Sequence, residues 1–150
     1  KGSGTISLNA TGTGDILAKR ALVADLGITS ISPTAGIGYA TGAGGAVIQI
    51  TSRSTGVTLN KITGTIQTDT TSLAGLASAD FIVTNSAVAV GDTVVVSIQS
   101  GSNSGGAIVS VSTVAAGSFT IRVSNNNAAA GTAETGAIII NFAVIKAVSA

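Results

Sequence analysis

The sequence contains no cysteine, histidine, methionine or tryptophan. Without cysteine there is no disulfide framework, no thiolate nucleophile and no cysteine-based zinc site. Without histidine, the commonest general base and the commonest transition-metal ligand are both missing. Charge is scarce too. Charged residues make up 9% of the 150 positions, where about 25% is usual. The net charge is +1 and the basic residues are scattered, which leaves no electrostatic footprint for nucleic acid. The aromatics are Tyr39, Phe81, Phe119 and Phe142, too few to build a stacking platform for carbohydrate. The longest strongly apolar run, Ala137 to Ile145, is broken by Asn141 and falls far short of the ~20 residues that span a membrane. No apolar signal segment follows Lys1. A chain that begins with Lys1 and not Met is expected to have lost residues ahead of it, or to carry Lys1 as an added residue.

What fills the chain is 20 Gly together with Ala, Thr, Ser, Val and Ile. Free monomers usually intersperse charge over their surface. A surface of Ser, Thr, Gly, Ala and Asn gives up little hydration when it packs against other protein. The expectation is an oligomer or a component of a larger assembly.

The motifs of chemistry fail one by one. The Gly-rich stretch from Gly36 to Gly45 suggests a phosphate loop, but G-x-G-x-x-G breaks at Thr41 from Gly36 and at Val47 from Gly42, and no G-x-x-x-x-G-K-[ST] exists. The stretch reads as an irregular approach to a first strand. Asp69, Asp80 and Asp92 read as turn or cap residues, and no EF-hand loop is present. No serine sits in a G-x-S-x-G elbow. Asn9-Ala-Thr11 is a glycosylation triplet of the kind that arises by chance in Thr-rich chains. These observations point to no catalytic residue, no cofactor and no metal, and the expectation is a protein that is not an enzyme.

The β pattern is strong. Phe119, Ile121 and Val123 alternate with Thr120, Arg122 and Ser124, and Val94, Val96 and Ile98 share one face with Thr93, Val95, Ser97 and Gln99 on the other. Strands are expected at Ala46–Thr51, Gly56–Asn60, Ile62–Gln67, Asp80–Asn85, Asp92–Gln99, Gly105–Val114, Gly117–Ser124 and Gly136–Lys146. Leu73–Ala79 reads as a helical turn or a loop. About eight short strands between Gly- and Asn-rich turns predict an all-β, jelly-roll-like β-sandwich over residues 35–150. The last strand is apolar on both faces: Ile138, Ile140, Phe142 and Val144 on one, and Ile139, Ala143 and Ile145 with Asn141 on the other. Such a strand calls for cover on both sides, by a second sheet or another subunit.

Residues 1–34 read differently, as an N-terminal arm or an extra element of the same domain, with Pro33 at its end. Asp15 to Leu26 is the best helix candidate, capped by Asp15 and ended by Gly27. It holds the densest charge cluster, Asp15, Lys19, Arg20 and Asp25. Ile16, Leu17, Lys19, Arg20, Leu22, Val23 and Leu26 are the candidate partner contacts, with the charges setting register and the apolar residues supplying burial.

Gly36-Ile-Gly-Tyr-Ala-Thr-Gly-Ala-Gly-Gly-Ala-Val47, then Thr51-Ser-Arg-Ser-Thr-Gly-Val-Thr-Leu-Asn-Lys61, resembles a segment of small structural proteins of tailed bacteriophages. Ala79–Asn85, Gly91–Val96 and Ala137–Lys146 agree, so the resemblance covers roughly residues 36–147. It implies a β-sandwich module, often trimeric, found as a capsid decoration (cement) protein and as a domain of head or tail fibres. The function it implies is that of a decoration protein on the outer surface of the capsid, as a homotrimer bound to the major capsid protein. The alternative is a domain of a fibre or receptor-binding spike.

Overall fold

The structure is a computed structural model that describes residues 36–128 and 132–147 together with Ser30, Pro33 and Thr34. The expected helix at Asp15–Leu26 lies outside the described residues. The chain divides between Gly38 and Tyr39, and all the described strands belong to the unit Tyr39–Ala150.

That unit is an all-β sandwich of two four-stranded sheets, with no helix among the described residues. The strands are β1 (Ala46–Ile48), β2 (Val57–Thr58), β3 (Thr63–Gln67), β4 (Ser78–Thr84), β5 (Thr93–Ser100), β6 (Ala107–Ala115), β7 (Ser118–Asn125) and β8 (Ile139–Ile145). Each falls on one of the stretches that alternation predicts. Of the stretch Leu73–Ala79, Leu73–Ala77 is a loop that carries one isolated bridge, Leu73 to Glu134, while Ser78 and Ala79 are the first residues of β4, paired with Ser124 and Val123. One sheet has the order β1-β3-β8-β5, the other β2-β4-β7-β6. The chain passes from one sheet to the other at every connection except the β6–β7 hairpin, whose two-residue turn places Gly117 at φ 77°. This weaving leaves a parallel pair at one side of each sheet, β1 with β3 and β2 with β4, while all other pairs are antiparallel.

The core lies between the sheets because every strand alternates. Phe81, Phe119, Ile121, Val123, Ile140 and Phe142 are all buried, as their inward phase requires. Phe119 of one sheet meets Phe142 of the other with ring centroids 5.4 Å apart and planes tilted by 48°. Replacing Phe142 by Leu should lower unfolding free energy by about 1–2 kcal/mol, through lost ring contact and a small void, as read from the urea midpoint. The second face of β8 is a different matter. The opposing sheet covers only one face, and the other is half-buried among its neighbours, with Ile145 still 54% exposed.

Candidate functional site

Two features could carry chemistry or recognition: a buried polar knot at one end of the sandwich, and the outer surfaces of the two sheets.

Arg53 and Glu134 form the knot. Both are buried, although they lie 81 residues apart in sequence. Arg53 lies two residues after Thr51, whose backbone takes the left-handed conformation with φ 82°. Its guanidinium donates to the carbonyls of Thr71, Glu134 and Gly136 and to the hydroxyl of Thr68. The Glu134 carboxylate accepts from the Ser102 hydroxyl at 2.6 Å and from the backbone N–H groups of Asn103, Ser104 and Gly136 at 2.8–3.1 Å. The two charges make no direct side-chain contact here, but each feels the other. Burial lowers the Arg53 pKa from its ordinary value, and Glu134 and Asp69 work against that. Burial alone would raise the Glu134 pKa. The hydrogen bonds from Ser102, Ser104, Gly136 and Asn103 outweigh it and hold the carboxyl at about 2, down from 4.5.

The knot ties loops together. Gln49 donates to the carbonyls of Arg53 and Thr55 and accepts from the Asp69 N–H. Asn103 bridges to Thr135 and Gly136. Asn125 holds the carbonyls of Leu73 and Thr132. No buried side-chain nitrogen or oxygen among the described residues lacks a partner. With its donors and acceptors consumed internally, the knot is suited to holding four loops in place, not to binding a substrate.

The other charges are engaged as well. Arg122 holds Asp80 in a bidentate pair, both bonds 2.7 Å, on the outer face of the β4–β7 ladder. Asp80 therefore lies inside a strand and is not the turn residue its sequence context suggests, because β4 begins two residues earlier, at Ser78. Asp92 is paired with Lys146 and accepts from the N–H groups of Ala89 and Ala147. Asp69 closes a local turn through Thr71. Hydrogen bonds hold the carboxyls of Asp69, Asp80 and Asp92 below the usual range, from Thr71, Arg122 and Lys146 respectively. Lys61 reaches the Gly42 carbonyl. Tyr39 donates its hydroxyl to the Val144 carbonyl, pinning the Gly-rich approach to the C-terminal strand.

An open groove of about 390 Å³ lies beside the short strand β2, lined by Ser54, Gly56, Asp80, Phe81, Ile82 and Thr120. Its single carboxylate is already held by Arg122. No group of three or more His, Cys, Asp or Glu side chains among the described residues is placed to share a metal ion.

The partner contacts that sequence suggests, Ile16, Leu17, Lys19, Arg20, Leu22, Val23 and Leu26, lie outside the described residues. What sequence reading missed is the Arg53–Glu134 knot. The only trace of it is that two of a small number of charges sit singly among Ser, Thr, Ala and Gly. Comparison with protein-family models, with curated proteins and with solved structures finds no significant match to this chain.

Proposed function

We propose that this protein is a decoration (cement) protein of a tailed-bacteriophage capsid. A trimer seats on the outer shell, bridges neighbouring capsomers and stabilises the shell against internal pressure, with no covalent chemistry. One observation carries the reading: every charged side chain among the described residues is bonded within its own chain. The sheet β1-β3-β8-β5 contains no charge at all. Such a surface can be buried against protein at little desolvation cost, and its scaffold is fixed beforehand, which keeps the ordering cost of association low. The resemblance of residues 36–147 to phage structural modules supports the same reading. Three modest contacts on one rigid trimer act together, and linkage of this kind raises avidity by about 10²–10⁴.

In this proposal the segment 1–34 anchors the trimer to the major capsid protein. Its leucines would supply most of the burial, at roughly 1.5–3 kcal/mol for each fully buried side chain. The protein should be located first in intact virions by labelled antibody. It should then be added back to shells stripped of it, with and without residues 1–34. The expected result is label over the shell, and a truncated protein that folds and stays trimeric but no longer binds. Label on a fibre or tail would overturn the reading. Undiminished shell binding by the truncated protein would move the anchor to the sandwich loops.

A further inference from the structure

The two long walls of the sandwich are closed in different ways. On one side the outermost strands are β1 and β2, three and two residues long. Very short outer strands are a standard protection against unwanted pairing. On the other side they are β5 and β6, eight and nine residues long. Neither contains a charged residue or a proline, the two devices that most often guard a long edge. Each has one register shift, between Ile98 and Ser100 and between Val111 and Thr113, which leaves Thr93–Ile98 and Ala107–Val111 as straight ladder.

The backbone phase on this wall follows from bonds elsewhere. Val144 donates its N–H to Ile62, on the β3 side of β8. In the antiparallel ladder that turns the N–H and C=O groups of Val96, opposite Phe142, away from β8. Asn125 donates to Ala77, on the β4 side of β7. The same alternation turns the groups of Val109 and Val111 away from β7. No backbone hydrogen bond outside the ladders reaches these three residues among the described residues. Their side chains point inward yet are only partly buried, so the sandwich is open along this wall.

We infer that this wall, the paired edges of β5 and β6, is where copies of this chain meet. The occupant is a second copy because the wall is neutral and needs a neutral partner, and the chain itself carries such a surface. The size is adequate. Strands of this length run about 27–30 Å, and two sheets about 10 Å apart with their outer side chains give a wall about 20 Å wide, so two copies would bury on the order of 1,100–1,200 Å² in total, at the lower bound of stable interfaces. The inference rests on the proposed function only for the number of copies, and holds equally for an assembly that is not a capsid.

The test combines light scattering with thiol cross-linking. Val95→Lys with Ile108→Lys places two ammonium groups at the rim of the wall, on the outer faces of the two edge strands, at side chains now about half exposed. This variant should run as a monomer, with association weakened by at least about tenfold, whereas Ile82→Lys on the outer face of β4, two strands in from the β6 edge, should leave the oligomer intact. The chain has no cysteine, so one introduced thiol is a clean reporter. On oxidation Ser97→Cys and Ser110→Cys should give covalent dimers, and Thr58→Cys on the opposite wall should not. The thiol readout also decides the matter if the lysine variant fails to fold. A wild-type chain that is monomeric at high micromolar concentration overturns both this inference and the trimer. An oligomer that survives the lysines, with cross-links only at Thr58→Cys, overturns this wall and leaves the trimer standing.

Discussion

Glu134→Ala should cost about 3–5 kcal/mol of unfolding free energy at neutral pH, a large part of the 5–15 kcal/mol typical of a domain. The carboxylate is the acceptor for Ser102, Asn103, Ser104 and Gly136. Without it the buried Ser104 N–H loses its acceptor, the Ser102 and Asn103 donors are left to water, and Arg53 loses the countercharge that offsets its own burial. Glu134→Gln keeps the shape but turns an amide NH₂ toward a nest of N–H donors, so it should also be destabilising. Its more informative readout is pH. The folded carboxyl sits at about 2 and the ordinary value is 4.5. Because the folded value is the lower, the stabilisation is complete above the ordinary value and is lost as pH falls toward 2. The full effect is on the order of 3 kcal/mol. Asp69, Asp80 and Asp92 are displaced in the same direction and add to the slope. The difference between wild type and Glu134→Gln isolates one group: it should be constant from pH 8 to about 5 and shrink below that. A difference that is flat down to pH 3 would show that Glu134 is not held ionised.

The second large effect is expected at Gly136→Ala, which should remove at least about 3 kcal/mol. An added Cβ would lie 1.8 Å from the Gly101 carbonyl oxygen and 2.9 Å from the Glu134 carboxylate. Gly101 is in the reciprocal position: its added Cβ would lie 2.0 Å from the Ala137 carbonyl oxygen, and its φ is +89°. Here two backbone segments run in direct contact where β5 ends and the chain approaches β8, and nothing flexible is available to yield. Gly105, in the same loop, is the control. Its φ is +72° but nothing lies within 4 Å of an added Cβ, so Gly105→Ala should cost only the left-handed backbone penalty of about 1–2 kcal/mol. Equal midpoints for the Gly136 and Gly105 variants in denaturant would refute the close-contact argument.

Both effects reside in residues that look unremarkable in sequence. Arg53 sits within Thr-Ser-Arg-Ser-Thr and Glu134 within Thr-Ala-Glu-Thr-Gly; neither context has a spacing that announces a partner. The strands were legible because alternation is a local signal. Phe119, Ile121 and Val123 share a face whatever they pair with, and the Gly and Asn runs mark where each strand stops. That is enough for eight strands, an all-β class and an inward set of side chains. Asp80 shows the limit of local reading: two residues of extra strand turned an apparent cap into the partner of Arg122.

The sequence by itself determined the strand set, the buried face of each strand and the exclusion of cysteine, histidine and metal-motif chemistry, because these follow from residue identity and a period of two. Only the tertiary structure decided which strands are neighbours. Pairing is set by non-local closure, so the parallel pairs β1–β3 and β2–β4 and the long edges β5 and β6 are written in no single stretch. The Arg53–Glu134 knot belongs to the same class. A buried charge is tolerable only where the fold brings donors and acceptors together from distant loops, and that convergence comes from the folded chain as a whole.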